Sequence, residues 1–250
     1  MPLLELRAAT KRHGRDAEIG PISLAVRPGE TVGLIGPSGA GKSTILKLLL
    51  GLIVPDEGEV LLDGVPLAAR DGSIRRRYGY VVQGGGLFPH LTAAGNVGVV
   101  PRFLGWPEAQ FRARLEALSA LARFPQPALS RFPSELSAGQ AQRVGLMRAL
   151  VLDPDVLLLD EPLGALDPVT RAELQTDLRT AFADLGKAVV LVTHDLAEAA
   201  FLAHRLVLLR DGRIVQEGAL EDLAARPAEP FVAQFVHAQR TLSLPRGGSP

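Results

Sequence analysis

Gly36, Pro37, Ser38, Gly39, Ala40, Gly41, Lys42, Ser43 and Thr44 follow the spacing of a phosphate-binding loop: glycine, four residues, Gly-Lys, then Ser or Thr. An apolar run at 31–35 leads in and a helical pattern at 44–50 leads out. A strand, a glycine-rich turn and a helix start together make a cradle for an anion. Backbone N–H groups, unencumbered by side chains at Gly39 and Gly41, can converge on phosphate oxygens. The helix N-terminus adds partial positive charge. Lys42 is placed to reach the β- and γ-phosphates, and the Ser43 hydroxyl to ligate Mg²⁺. The plain alternative is a glycine-rich turn before an ordinary helix. With strand and helix both in place, the loop reads as a nucleoside triphosphate site.

Other candidates stand at the ends of other apolar runs. Residues 156–159 lead into Asp160 and Glu161, two carboxylates at the C-terminal end of a strand, the edge where open α/β sheets hold ligands. Asp160 can hold Mg²⁺ opposite Ser43, directly or through water. Glu161, one residue on, points elsewhere and can polarise a water for in-line attack on the γ-phosphorus. A solvated Asp-Glu pair at a loop start is the ordinary alternative, which the preceding phosphate loop disfavours. Residues 189–193 lead in the same way into His194, a group able to donate to the γ-phosphate or hold the attacking water. Gln83 ends the run 80–82; alone, a Gln at a strand end says little. Ser137 and the small residues after it cap a helix that begins at Ala138, a second helix-terminus anion site. For an isolated Ser, a plain N-cap would explain as much.

The elements that must position these residues are legible in outline. Runs at 3–8, 22–26, 31–35, 60–64 and 78–82 read as strands. Those at 156–159, 188–193 and 205–209 are continuously apolar, as a parallel sheet covered on both faces requires. Asp211-Gly212 marks a hairpin between 205–210 and 213–217. Between 84 and 155 the strand pattern stops. Phe111, Leu115, Leu118 and Leu121 form a helical stripe within 107–122, and 138–152 is a second helix ended by Asp153-Pro154. Asp167-Pro168 opens a third, closed by Gly186. The chain therefore reads as an α/β core interrupted by a helical insertion.

Bulk properties exclude more than they assign. A chain of 250 residues is one large domain or a core with a subdomain. Its 27 basic and 27 acidic residues balance, so charge gives no case for a nucleic-acid partner. No cysteine is present, which excludes disulfides and thiolate metal sites. Residues 1–7 lack the charged start and long apolar core of a signal peptide, and the greasiest run, 45–54, is too short for a bilayer. The expectation is a soluble, cytoplasmic protein.

Taken in order, the loop at 36–44, Gln83, the Leu-Ser-Ala-Gly-Gln signature at 136–140, Asp160-Glu161, the 164–167 turn and His194 resemble the ATP-binding subunits of ABC transporters. The match covers essentially residues 1–240. The resemblance implies an α/β fold: a RecA-like P-loop NTPase core with an N-terminal antiparallel β subdomain and an inserted α-helical subdomain. It implies that 1–83 and 154–240 make the core, 84–153 the helical subdomain, and 241–250 a flexible tail. It also implies a head-to-tail homodimer, each ATP lying between the phosphate loop of one chain and the signature of the other.

Roles follow by likeness. Lys42 and the amides of Gly39, Gly41 and Ser43 hold phosphates, with Thr44 nearby. Ser43, Gln83 and Asp160 serve Mg²⁺. Glu161 is the general base and His194 the γ-phosphate sensor. Ser137, Gly139 and Gln140 close over the partner's nucleotide, and Asp167 bridges the interface. Gln83 marks where loss of the γ-phosphate is transmitted to a membrane partner. Three departures stand out. Ala138 replaces the commoner glycine, His13 falls where an aromatic ring normally stacks on adenine, and Gly84, Gly85 and Gly86 make the segment after Gln83 unusually pliable.

The stretches 87–97, 100–106, 162–168 and 230–236 further resemble importer subunits for osmoprotectants such as glycine betaine and choline. Packing sequence shared across polar-solute importers is the alternative for 87–106. The implied partners are integral membrane permease subunits and, indirectly, an extracytoplasmic solute-binding protein, with the chain peripheral on the inner face of the membrane. Relatives often add a C-terminal regulatory domain; the few residues after Arg240 are too short for one. Two other classes compete. A soluble ABC protein of DNA repair or translation predicts coiled coils, a tandem cassette or a basic patch, and the sequence has none. A P-loop kinase or GTPase leaves the signature at 136–143 without a purpose.

Overall fold

The computed structural model describes residues 1–14, 17–67, 72–164 and 166–243. Its strands sort into two sheets by their hydrophobic pattern. β1 (Leu4–His13), β2 (Ala17–Val26), β4 (Glu57–Leu62) and β5 (Val65–Pro66) form an antiparallel sheet in the order β2-β1-β4-β5. β1 alternates between buried and solvated positions near its start and is exposed at its end. β1 and β2 both run further than their apolar cores at 3–8 and 22–26 suggest, their outer halves pairing through backbone at Lys11–Ile19, Arg12–Glu18 and His13–Ala17.

The continuously apolar runs form the second sheet. β3 (Thr31–Ile35), β6 (Tyr78–Val81), β7 (Val156–Asp160), β8 (Ala188–Val192), β9 (Arg205–Arg210) and β10 (Arg213–Gly218) lie in the order β10-β9-β3-β8-β7-β6. All pairs are parallel except the β9–β10 hairpin, which turns at Asp211-Gly212. β3 and β8 are buried at every position. Val156, Leu158, Val190 and Val192 face one apolar cluster, shared with α1 (Lys42–Leu49) and the antiparallel sheet. Leu157, Leu159, Val189 and Leu191 face a second, shared with the helical insertion. Each fully buried Val or Leu contributes about 1.5–3 kcal/mol. The strand ends are thus firmly held where the polar residues begin.

The insertion carries α2 (Ala93–Phe103), α3 (Glu108–Leu121) and α4 (Ala138–Leu150). α3 and α4 match the sequence expectation; α2 was not anticipated. After the insertion come α5 (Pro168–Leu185), α6 (Leu196–Leu202), α7 (Leu220–Ala225) and α8 (Pro230–Ser243). The tail expected to fray from 241 is therefore helical through Ser243, because α8 lays Val232 and Val236 into a third cluster with Ile35 and Leu206. The rest of that tail, 244–250, and Ala165 of the 164–167 turn lie outside the described residues.

Candidate nucleotide site

Because β3, β6, β7 and β8 run parallel, the residues that follow them emerge on one edge of the sheet. That edge gathers the phosphate loop, Gln83, Asp160-Glu161 and His194. Gly36 leaves β3 at φ 145, and a Cβ there would lie 2.3 Å from the Leu209 carbonyl oxygen, so only glycine fits. Gly41 turns into α1 at φ 101 without a side-chain cap. The first-turn N–H groups of α1 are left for an anion.

Pro37, Ser38 and Gly39 are exposed at the crest of the loop, and buried Ala40 donates its N–H to the Pro37 carbonyl at 3.2 Å. Lys42 folds under the loop, donating to the carbonyls of Gly36 and Pro37 at 2.8 Å each. Burial pulls its ammonium below the ordinary lysine range, while Glu161 and Asp160 pull the other way. Ser43 is exposed beside it. His13, at the end of β1, brings its Nε2 to 3.4 Å from the Thr44 hydroxyl. The residue expected at the base thus stands over the first turn of α1.

Three side chains from separate strands meet at one carboxylate. Gln83 Nε2 donates to Glu161 Oε2 at 2.8 Å, and His194 Nδ1 lies 3.4 Å from Glu161 Oε1. Glu161 sits at φ 46, in the left-handed region. That conformation costs about 1 kcal/mol for a residue with a side chain. It is held by the bond from its N–H to the Val192 carbonyl at 2.8 Å. The turn lifts the carboxylate off the line of β7 and across the strand ends.

Asp160 is bonded by Tyr80 on β6 and feels the charges of Lys42 and Lys47 on α1. Burial raises its carboxyl above the usual range and the charge of Glu161 adds to the rise, against a hydrogen bond from Tyr80 and the charges of Lys47 and Lys42. Tyr80 and Lys47 were not singled out by sequence; the only signal was the alternation that brings Tyr80 beside β7, opposite Leu158. Among the described residues no three His, Cys, Asp or Glu side chains converge on a metal. A hard cation that takes one carboxylate, a hydroxyl, phosphate oxygens and waters fits Asp160 with Ser43. It would relieve a carboxylate penalised by burial and by a like charge.

The remaining candidates form a second group. Ser137 Oγ accepts the Gln140 N–H at 3.2 Å and Gln140 Oε1 accepts the Ser137 N–H at 3.1 Å, a reciprocal capping box at the start of α4. Asp167 caps α5, accepting from Val169 at 3.1 Å and Thr170 at 3.0 Å, and hydrogen bonds from Thr170 chiefly hold its carboxyl below the usual range. Ala138 is exposed, so its methyl crowds nothing within the chain. Among the described residues no hydrogen bond joins 137–140 to the loop at 36–44. One chain thus presents two helix starts, at α1 and α4, that share no hydrogen bond.

Gly139 is accounted for by packing. A Cβ there would lie 2.6 Å from Thr170 Cγ2. Gly139→Ala is expected to cost about 1–3 kcal/mol in urea unfolding. Adding Thr170→Ser, which removes that methyl, should restore most of the loss. A double variant as unstable as Gly139→Ala alone would show that this contact is not the reason for the glycine.

Sequence reading also missed what steadies the segment after Gln83. Arg148 on α4 donates to the carbonyls of Gly85 and Gly86 at 2.8 Å each, and its guanidinium lies 5.9 Å from the Phe88 ring centroid. Buried Asn96 accepts the Phe88 N–H at 2.7 Å and donates to the carbonyls of Phe88, Leu91 and Thr92 at 3.1 Å each. The pliable run is fastened to α4 on one side and α2 on the other.

Comparison with known proteins agrees with this arrangement. A family described as ABC transporter matches residues 19–164. The choline transport ATP-binding protein OpuBA of Bacillus subtilis is 42% identical over 97% of this chain and 64% of its own length. The glycine betaine uptake system ATP-binding protein YehX of Escherichia coli is 42% identical over 93% of this chain and 76% of its own. This chain thus spans under two thirds of OpuBA. MJ0796, described as a bacterial ABC transporter cassette and solved as a dimer, superposes with a TM-score of 0.76 at 34% identity, covering 86% of this chain and 98% of that one. With the family match, the ordered motifs and the shared fold in agreement, the chain belongs to the ABC transporter family.

Proposed function

We propose that this chain hydrolyses ATP to drive a membrane importer, working as a head-to-tail homodimer. The observation that carries the reading is Glu161, gripped by Gln83 and His194 on the same sheet edge as an uncapped helix start. In this reading the α1 N–H groups and Lys42 hold the phosphates. Ser43 and Asp160, with Gln83 near, would hold Mg²⁺, which neutralises charge on the phosphates. Glu161 takes a proton from the attacking water, and His194 keeps that carboxylate and the water in register. Ser137, Gly139 and Gln140 offer their helix start to the nucleotide of a second copy, with Asp167 between them. The separation of the two helix starts supports this, as does the dimeric state of MJ0796. A related MJ0796 structure was solved in a post-hydrolysis state with ADP and Pi.

Residues 84–153 form the helical subdomain of the proposal, and their surface supports docking on a permease. Phe88, Val100 and Phe103 are exposed there, Phe103 at 86%. Among the described residues no helix is long and apolar enough to cross a membrane, and the membrane partners in this proposal are permease subunits. The solute we propose is a quaternary amine such as glycine betaine or choline, supported by the names of OpuBA and YehX. A second reading, another polar solute, is favoured by the sulfate/thiosulfate import protein CysA of Bradyrhizobium diazoefficiens, also 42% identical over 93% of this chain. Reconstitution in vesicles with permease subunits of a quaternary-amine or a sulfate importer tests both. The expected result is permease-stimulated ATP hydrolysis with uptake of labelled choline or glycine betaine. Uptake of sulfate instead selects the second reading, and ATPase activity that answers to DNA or ribosomes removes the transport proposal.

A further inference from the structure

Glu198 has no part in the mechanism above, yet it is one of the most enclosed charged groups in the chain, 3% exposed in the first turn of α6. Thr193 Oγ1 donates to Glu198 Oε2 at 3.0 Å and accepts the Asp195 N–H at 3.1 Å. Asp195 in turn accepts the N–H groups of Ala197 and Glu198 at 2.8 and 3.1 Å. These bonds close the loop that presents His194. From α5, Arg171 donates Nη2 to the Leu166 carbonyl at 3.2 Å, next to Asp167, and its Nη1 lies 3.7 Å from Asp195 Oδ2. Two buried polar atoms are left over: Glu198 Oε1 and Arg171 Nε.

An unsatisfied carboxylate oxygen and an unsatisfied guanidinium N–H are each costly when buried. Arg171 is near enough for its charge to act on Glu198. A contact between the two would satisfy both. It would also tie Leu166 to the His194 loop, and Glu161 lies close to both stretches: His194 Nδ1 is 3.4 Å from Glu161 Oε1, and a Cβ on Gly164 would stand 3.4 Å from Glu161 Oε2. We infer that Arg171 and Glu198 are a positioning pair that docks Leu166 and Asp167, together with the His194 loop, beside Glu161 and so sets the rate of hydrolysis. This rests on the proposed ATPase reading.

The charges that face Glu198 are Arg171 on α5 and His194 and Asp195 on the preceding loop. β3, β9 and α8 face α6 with apolar Ile35, Leu206, Val232 and Val236. Burial pushes the Glu198 carboxyl up to about 7; the Thr193 bond opposes that, Asp195 adds to it, and Arg171 and His194 oppose it. The ionised form able to pair with Arg171 therefore prevails above about 7, and the neutral form below.

The test is ATP turnover by the full chain between about pH 6 and about pH 8 for the wild type, Glu198→Gln, Arg171→Gln and the double variant. Glu198→Gln mimics the neutral carboxyl. Its kcat should fall about fivefold below the wild type at the upper end, converge with it at the lower end, and leave KM unchanged. Arg171→Gln should show the same loss, and the double variant should be no slower than either single change. A Glu198→Gln to wild-type ratio constant with pH, or additive losses, overturns the pair. Removing a buried charge should leave the melting temperature at about pH 8 equal or higher. If Glu198→Gln does not fold, Arg171→Gln decides by the same pH ratio. Turnover in the wild type with a flat ratio defeats the pair alone; no turnover in the wild type defeats the ATPase reading and the pair with it.

Discussion

Glu161→Gln is expected to lower ATP turnover by about a thousandfold while leaving nucleotide binding within about twofold. The amide has the shape of the carboxylate and can keep a contact with Gln83, but it cannot accept a proton from water. The left-handed backbone at φ 46 is unchanged, so no new strain enters the fold. Phosphate release measures the loss, and titration with a fluorescent ATP analogue measures the retained affinity. Sedimentation should then show dimers that persist with ATP, because the nucleotide is no longer cleared from the shared interface. Turnover close to the wild-type value would remove Glu161 from the role of base and leave the Gln83 and His194 contacts without a catalytic purpose.

Lys42→Ala should abolish useful nucleotide binding. Charge-assisted hydrogen bonds to phosphate are worth about 3 kcal/mol, which corresponds to roughly a hundredfold in affinity. Here the ammonium also bonds the Gly36 and Pro37 carbonyls at 2.8 Å, so its loss loosens the loop as well. Lys42→Arg separates the two effects: it keeps the charge but brings a planar fork into a buried slot sized for an ammonium. Calorimetric titration with ATP should therefore show weak binding for both variants. Full affinity in Lys42→Ala would mean that the helix start alone holds the phosphates.

The sequence made the sheet edge readable because its chemistry is local. Buried parallel strands are apolar throughout, and a polar residue directly after one must sit at a strand end. Asp160, Glu161 and His194 were read that way; Gln83, uninformative by itself, took its role from the family resemblance. α2 stayed hidden because Gly95, Gly98 and Pro101 lower its intrinsic helicity. It forms because Thr92 caps it at 3.1 Å from the Gly95 N–H and because Asn96 is buried beneath the 88–92 segment. The extensions of β1 and β2 were invisible for another reason: β1 ends on polar Lys11, Arg12 and His13, and Gly20 and Pro21 interrupt the apolar pattern of β2. Glu198 was not singled out by sequence at all. Only burial, which no local pattern reports, separates it from a solvated acid.

The strand order has a consequence for how this molecule is made. β3, which carries the phosphate loop, pairs with β8 on one side and β9 on the other, and with no strand nearer in sequence. During synthesis its backbone groups therefore have no permanent partners until residues 188–192 and 205–210 have left the ribosome. Pairings of such sequence separation are slow to form and leave apolar edges open meanwhile. A nascent chain that stops inside the helical insertion carries every residue of the loop, Gly36 to Thr44, and still has no strand on which to set it. In this order, β3 gains both of its neighbours only after residues 205–210 have been made.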